Sequence, residues 1–156
     1  MTEKNLAEHA ISARSRVNLL EAMRGEAFAF AKYKLFAKHA RANGDNELAD
    51  LFDKTADQEC LEHFTQLADL MQLVRTDEQD ETDAIANEYF EVDTLYLRLA
   101  EEAREDGDEQ VAHRFEEIRH DEVFHQLAFQ EALIKIQTRQ RAIKGAMRSS
   151  SKAHDF

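Results

Sequence analysis

Hydrophobic residues recur at alternating steps of three and four along four stretches of the chain, with polar residues between them. This spacing predicts four amphipathic helices, which we call helix A (16–42), helix B (46–74), helix C (83–106) and helix D (109–138). Gly44 lies between A and B, and Gly107 lies between C and D; each is followed by an aspartate. Glycine suits the end of a helix and aspartate the start of the next, so the pattern predicts two helix hairpins in tandem.

The two predicted hairpins resemble each other in sequence. HARANGDNELADLF surrounds Gly44 in the first half of the chain, and EEAREDGDEQVAHRF surrounds Gly107 in the second half. The chain is therefore predicted to be an internal duplication of a two-helix unit that folds as an all-α four-helix bundle. Composition agrees with this prediction, because 156 residues with no proline and four glycines lack the turns that a β-sandwich or β-barrel requires.

The charge and the apolar content of the chain argue against several classes of protein. The net charge of −12 argues against nucleic acid as a general partner, no apolar run is long enough for a membrane span, and no signal-peptide pattern is present. Residues 135–156 carry six basic residues and one acidic residue. We therefore predict a cytoplasmic protein with one bundle domain over 1–138, including a short N-terminal extension, and a basic, disordered tail over 139–156.

Carboxylates interrupt the apolar face of every predicted helix, at matching distances from the turns. Glu26 and Glu88 precede their glycines by nearly the same number of positions, and Glu59 and Glu122 follow theirs by an identical number. At a rise of about 1.5 Å per residue, the four carboxylates reach similar heights in their hairpins. Ionised carboxylates inside a bundle need compensation, so the pattern favours a bound metal over glutamates that merely extend to solvent.

The predicted metal site collects the seam carboxylates and one histidine. Glu122 and His125 share a helix face at i, i+3, and a glutamate from two helices combined with Glu-x-x-His from the other two is the pattern of di-iron and di-manganese bundles. The candidate ligands are Glu26, Glu59, Glu62, Glu88, Glu91, Glu122 and His125. Because oxygen ligands dominate this set, manganese or mixed manganese and iron occupancy stands beside iron.

Two stretches resemble the hairpins of rubrerythrins in the ferritin-like superfamily. They are NLLEAMRGEAFAFAKYKLFAKHARANGDNELADLFDKTA and NEYFEVDTLYLRLAEEAREDGDEQVAHRFEEIRHDEVFHQLAF, and the resemblance covers about residues 17–136. It implies a ferritin-like bundle with a di-iron centre ligated by Glu26, Glu59, Glu88, Glu91, Glu122 and His125. It also implies that Tyr33 and Tyr96 hydrogen-bond to the ligand carboxylates.

The sequence departs from that family in two places. Where helix B of rubrerythrins carries Glu-x-x-His, this chain has Glu59-x-x-Glu62, and His63 follows one residue later. Either Glu62 or His63 could be the ligand; we favour Glu62, because His63 would need a π-bulge in helix B. In addition, the single cysteine, Cys60, cannot build a rubredoxin-type iron site, so electrons are expected to come from a separate rubredoxin or flavoprotein.

The resemblance implies a peroxidase, an oxidoreductase that reduces hydrogen peroxide to water in response to oxidative stress. A ferroxidase that uses O₂ and a non-catalytic helical interaction module remain as alternatives. The predicted link between helices B and C (75–82) is too short to travel the length of a ferritin-like bundle. If helix B is not shorter and the topology is not up-down-up-down, the chain is expected to form a homodimer that exchanges hairpins.

Overall fold

The structure, a computed structural model, describes the backbone of residues 11–152 and the side chains of residues 11–144, and all regular structure in this part of the chain is helical. Helix A is α1 (Ala13–Ala42), and helix D is α6 (Glu109–Lys152). Helix B comprises α2 (Asn46–Gln58), a π-helical turn called π1 (Glu59–Phe64) and α3 (Thr65–Met71). Helix C comprises α4 (Asp77–Phe90), a second π-helical turn called π2 (Glu91–Leu95) and α5 (Tyr96–Glu105).

The turn of each hairpin has the predicted chemistry. Gly44 and Gly107 adopt φ values of +82° and +83°, in the left-handed region that favours glycine. The side chain of Asp45 accepts a hydrogen bond of 3.0 Å from the Leu48 N–H and so caps helix B. The backbone carbonyl of Asp108 accepts from the Ala112 N–H at the start of helix D. The predicted duplication of a two-helix unit is thus visible in the backbone.

The chain divides into two units, Met1–Val74 and Arg75–Phe156, each built on one hairpin. Small residues bring the two helices of each hairpin together: Ala37, Ala49 and Ala56 are almost fully buried in the first, as are Ala100 and Ala112 in the second. Small side chains let helix axes approach closely. The larger apolar residues on the carboxylate side of the helices are only partly covered, and this face carries the candidate site.

Charged side chains tie helices A and B together near their turn. The Lys34 Nζ lies 3.1 Å from Asp53 Oδ1 and 2.6 Å from Asp57 Oδ1, and the Arg41 guanidinium lies 2.6 Å from Asp53 Oδ2. Because these groups are partly exposed, each pair contributes little on its own, but a network that shares Asp53 fixes the register of the two helices. That register sets the height at which residues further along helices A and B meet.

Helix B ends earlier than predicted, and helix C begins earlier than predicted. Helix B stops at Met71, because Gln72 adopts a left-handed conformation and the Leu73 N–H bonds to the Ala68 carbonyl oxygen at 3.0 Å. Helix C begins at Asp77, since Thr76 forms a capping box with Gln79; the predicted start at residue 83 is wrong.

Helix D also differs from its predicted length. It was expected to end at 138, before a disordered tail, but α6 continues to Lys152. Residues 139–152 contain no proline and half of them are Ala, Arg or Lys, so helix propensity continues the helix after the apolar periodicity has ended. The predicted N-terminal extension lies almost wholly outside the described residues. In the described part of the chain, no helix combines the length and apolar character that crossing a membrane requires.

Candidate metal centre

The first hairpin brings two carboxylates and one imidazole together halfway along its length. Helix A supplies Glu26, and π1 of helix B supplies Glu59 and His63. The His63 Nδ1 lies 2.7 Å from Glu59 Oε2 and 3.8 Å from Glu26 Oε2. One ligand atom from each residue lies within 4.8 Å of the other two. We call these three residues the first triad.

The π-helical turn explains why His63 belongs to the first triad. A π turn accommodates one extra residue, so His63 takes the place on the helix face that the preceding residue would occupy in a regular α-helix. The Thr65 hydroxyl donates a hydrogen bond of 3.1 Å to the Cys60 carbonyl oxygen and so satisfies one of the acceptors that the π turn displaces. The expectation that helix B lacks a bulge is therefore wrong.

The second hairpin carries an equivalent group, the second triad: Glu88 from helix C, and Glu122 and His125 from helix D. The His125 Nδ1 lies 2.6 Å from Glu122 Oε2 and 3.9 Å from Glu88 Oε2. The side chains of Glu88 and Glu122 are only 13% and 14% exposed, which is unusual for carboxylates. Each triad thus takes one glutamate from the first helix of its hairpin and a Glu–His pair from the second.

The carboxylates of the first triad are arranged to share a proton in the absence of a metal. The pKa of Glu26 is raised, mainly because its protonated side chain hydrogen-bonds to Glu59 and further because it is desolvated. The pKa of Glu59 is lowered by the hydrogen bonds that its carboxylate accepts from Glu26 and His63. The hydrogen bond to Glu59 raises the pKa of His63. A cation bound here would compensate the negative charge that these protons otherwise neutralise.

The second triad shows the same electrostatics with stronger desolvation. Burial raises the pKa of Glu88, and the hydrogen bond and negative charge of Glu122 raise it further. The hydrogen bond to Glu122 raises the pKa of His125. The pKa of Tyr96 is raised, first by burial and then by the negative charges of Glu91, Glu122 and Glu88. Negative charge is therefore concentrated around Tyr96 and the second triad.

The π turn of helix C is held by a residue that sequence reasoning missed. The Arg119 Nε donates a hydrogen bond of 2.6 Å to the carbonyl oxygen of Val92, inside π2. Arg119 lies one turn before Glu122 on helix D, so it ties the turn that follows Glu88 to the helix that carries the other two members of the second triad. In the sequence, the one signal for this role is that Arg119 and Glu122 are three residues apart and therefore share a face of helix D.

The triads contain five of the seven predicted ligands: Glu26, Glu59, Glu88, Glu122 and His125. Glu62 is not among them; its side chain is exposed and accepts a hydrogen bond of 3.4 Å from Gln58. Glu91 accepts a hydrogen bond of 3.0 Å from Asn87 and contributes charge beside the second triad.

The two predicted tyrosines lie on the carboxylate side of their hairpins. The Tyr33 ring stacks on Phe52, with 6.0 Å between the ring centroids, and the Tyr96 ring lies 6.2 Å from that of Phe115. In the described residues neither hydroxyl hydrogen-bonds to a carboxylate. Their predicted contact with metal-ligating carboxylates stays a prediction for the metal-bound protein.

The donor atoms of the triads fit a divalent metal ion. Each triad offers carboxylate oxygens and an imidazole nitrogen, a donor set that suits iron and manganese. In addition, Glu88 Oε2 is buried and has no hydrogen-bond partner among the described residues. Such an atom is costly unless something positive contacts it, and a cation beside Glu122 and His125 would do so.

Alanine substitution distinguishes the two candidate ligands of helix B. We expect His63→Ala to weaken one of two bound metal ions by more than about 10-fold, because it removes the only nitrogen donor of the first triad. Glu62→Ala should leave both affinities within about 2-fold, since substitution of an exposed side chain that contacts no ligand usually has a small effect. Competition titration with a chromophoric chelator measures both. Loss of a metal ion in Glu62→Ala but not in His63→Ala would reverse the assignment.

Comparison with known proteins agrees with this architecture. The sequence model described as rubrerythrin matches residues 18–133. The chain is also 27% identical over 161 residues to a rubrerythrin of Nitratidesulfovibrio vulgaris (strain Hildenborough), and the alignment covers 92% of this chain and 84% of that protein. The residues that the sequence model matches include both hairpin turns and both triads. The comparisons confirm the predicted all-α, ferritin-like four-helix bundle.

Proposed function

This chain belongs to the rubrerythrin family, and on that premise we propose that it is a non-haem di-iron oxidoreductase that reduces hydrogen peroxide to water. The observation that carries the proposal is the pair of equivalent Glu/Glu/His triads. Four carboxylates and two imidazoles are the donor set of the di-iron and di-manganese bundles. Because His63 adds a second nitrogen donor to the set predicted from the sequence, iron is favoured over manganese.

The residues of each triad would have different roles in metal binding and in charge compensation. Glu59 and Glu122 each hold a histidine in place through a short hydrogen bond, at 2.7 and 2.6 Å, which limits the ring's rotation. Glu26 and Glu88 have raised pKa values, Glu26 chiefly through its hydrogen bond to Glu59 and Glu88 chiefly through burial. Their ionised forms are therefore the ones that a bound cation would stabilise most. The four carboxylates supply four negative charges, which match two divalent ions.

The chemistry of the reaction requires electrons and protons in equal number. Reduction of one hydrogen peroxide to two water molecules consumes two electrons and two protons. A bound di-iron centre would supply the two electrons by passing from the diferrous to the diferric state and would polarise the O–O bond. An external donor, a rubredoxin or a flavoprotein, would then return two electrons. The acidic chain would favour a donor with a basic docking surface.

Oxidation kinetics test the proposal against its nearest alternative. Anaerobic diferrous protein is mixed in a stopped-flow instrument with hydrogen peroxide or with O₂ at equal concentration, and the diferric absorbance is followed. We expect the peroxide reaction to be at least 10-fold faster and to consume one peroxide per two ferrous ions. Faster oxidation by O₂, with hydrogen peroxide as a product, would contradict peroxidase function and favour a ferroxidase.

A further inference from the structure

The π turn of helix C decides which side chain of that helix follows Glu88 on the same face. Tyr96 lies eight residues after Glu88, and eight residues of a regular α-helix turn about 80° past two full turns. Leu95, seven residues after Glu88, would share the face of Glu88 in such a helix. Because π2 accommodates one extra residue, Tyr96 takes the position that Leu95 would otherwise have.

The contacts of Tyr96 agree with this register. Its ring lies 6.2 Å from the ring of Phe115, measured between centroids. Phe115 precedes Glu122 by seven residues and therefore shares its face of helix D. The pKa of the Tyr96 hydroxyl is raised, first by burial and then by nearby carboxylates that include Glu122 and Glu88. Tyr96 thus lies on the side of helix C that meets helix D.

Arg119 forms a hydrogen bond that favours the π-helical form of this turn. In a regular α-helix the carbonyl oxygen of Val92 would accept a hydrogen bond from the Tyr96 N–H. In π2 the Tyr96 N–H bonds to the carbonyl oxygen of Glu91 instead. The Arg119 Nε donates to the Val92 carbonyl oxygen at 2.6 Å. An α-helical turn would return the backbone donor to Val92 and leave Arg119 without this acceptor, so the bond stabilises π2 relative to an α-helix.

The surroundings of this hydrogen bond give it weight. Val92 is only 7% exposed, and a buried carbonyl oxygen without a donor is costly. Within the side chains that the structure describes, Arg119 is half-buried and pairs with no carboxylate. Arg114 of the same helix, in contrast, is 72% exposed and bonds to Glu117 at 2.6 Å. Arg119 is therefore directed to the backbone of π2, while Arg114 belongs to the solvated surface.

We propose that Arg119 is a positioning residue, which through π2 places Tyr96, and not Leu95, beside the second triad. The candidate metal centre then has a phenol as its neighbour, which can donate and accept hydrogen bonds, in place of a hydrocarbon side chain. The inference rests on the proposed function for what this phenol serves. The placement itself depends on residues that lie outside both triads.

Two uncharged substitutions separate the hydrogen bond of Arg119 from its charge. Glutamine offers an amide N–H at about the position of the arginine Nε, whereas methionine has a similar length and no donor. We expect Arg119→Gln to keep π2 and Arg119→Met to convert it to α-helix. The Tyr96 ring would then turn away from Phe115, and Leu95 would take its place. Arg114→Met, at the exposed arginine of the same helix, is the matched control.

Nuclear Overhauser contacts to Phe115 in the metal-free, full-length chain measure this register without reference to activity. Cross-peaks between the rings of Tyr96 and Phe115 should appear in the wild type, in the glutamine variant and in the Arg114 control. Arg119→Met should lose them and gain cross-peaks between Leu95 and Phe115, while circular dichroism verifies that it is helical. Retention of the Tyr96 cross-peaks in Arg119→Met, or their loss in Arg119→Gln, would overturn the proposal.

Deletion of Asp93 decides the matter if Arg119→Met does not fold. Removal of one residue from π2 leaves a regular α-helix in which Tyr96 keeps its place on the face of Glu88. The cross-peaks between Tyr96 and Phe115 should then no longer depend on Arg119, so they should persist in the deletion variant with and without Arg119→Met. Loss of these cross-peaks, or of the fold, on Arg119→Met in the deletion variant would show that Arg119 does not act through π2.

Metal content of the same variants keeps this inference separate from the proposed function. Glu88, Glu122 and His125 lie outside π2, so the wild type and both Arg119 variants should each bind two iron ions per chain. The expected cross-peaks without bound iron would contradict the proposed function alone. Two bound iron ions, with wild-type cross-peaks in Arg119→Met, would contradict the positioning role alone.

Discussion

Replacement of Glu122 by alanine is expected to abolish tight binding of one metal ion per chain and to weaken the other. Glu122 is 14% exposed, holds His125 through a contact of 2.6 Å and raises the pKa of Glu88 through a hydrogen bond, an effect second only to burial. The substitution removes a ligand and frees the imidazole at the same time. Loss of a residue that only orients a ligand costs about 10–100-fold in metal affinity, so loss of the ligand should cost more.

A matched control separates this effect from a change in net charge. Glu131 lies on the same helix, is 69% exposed and pairs with Lys135 at 2.7 Å, so Glu131→Ala removes one carboxylate that belongs to neither triad. Ferrous ion titrations, with circular dichroism to verify helicity, should show wild-type affinity for Glu131→Ala and a loss of at least about 100-fold for Glu122→Ala. Equal affinities in the two variants would remove Glu122 from the site.

Removal of metal is expected to lower the melting temperature of the protein strongly at pH 7.5. Without a cation, the carboxylates of each triad face each other and are only partly compensated by one histidine. Two sites, each at a free metal concentration of about 100 Kd, stabilise the folded state by about 5 kcal/mol together, which corresponds to about 10–20 °C for a chain of this size. Differential scanning calorimetry of chelated and metal-loaded protein measures the difference. Coinciding melting temperatures would contradict metal binding at the triads.

Acidification should partly reverse the loss of stability in the metal-free protein. The pKa values of Glu26, Glu88, His63 and His125 are all raised in the folded state, Glu26 chiefly by its hydrogen bond to Glu59, Glu88 chiefly by burial and the histidines by their glutamate partners. A group with a raised pKa stabilises the folded state below its ordinary pKa, and the contribution is lost as the pH rises through the raised value. The lowered pKa of Glu59 has the opposite effect, but only below its ordinary value of 4.5.

The melting temperature of the chelated protein should therefore be higher at pH 5.5 than at pH 7.5. The melting temperature of the metal-loaded protein should show the opposite trend, because protons compete with metal for the same ligands. The double variant Glu26→Gln, Glu88→Gln keeps the side-chain shapes and removes two of the titrating groups. Its chelated form should show a smaller change between the two pH values. A chelated wild-type protein that becomes less stable on acidification over this range would contradict the assignment of shared protons.

Much of the fold and of the site followed from spacing alone. The two glycine turns and the period of apolar residues predicted the hairpins, because each depends on local chemistry that the chain repeats in its second half. The heights of Glu26, Glu59, Glu88 and Glu122 followed from the constant rise of a helix. A regular helix is the most predictable element of a protein, and these residues depend on little else.

The features that the sequence did not predict all depend on where a helix departs from regularity or ends. His63 reaches the first triad only because π1 shifts the register of helix B, and nothing in the local sequence ECLEHF requires a π turn. The boundary between the hairpins was misplaced because several residues could cap helix C, and Thr76 does so through its capping box with Gln79. The length of helix D was underestimated because the apolar period ends before the helix does.

Metal content after reconstitution tests the central claim most directly. The chain is loaded with ferrous ion under anaerobic conditions, freed of excess metal, and analysed by inductively coupled plasma mass spectrometry against protein concentration from amino-acid analysis. Two Glu/Glu/His triads predict two iron ions per chain for the wild type and for Glu62→Ala, and clearly fewer for the double variant His63→Ala, His125→Ala. A wild-type content below about one ion per chain would contradict a di-metal centre, since each triad is expected to hold one ion, and would favour a helical protein without a metal-dependent reaction.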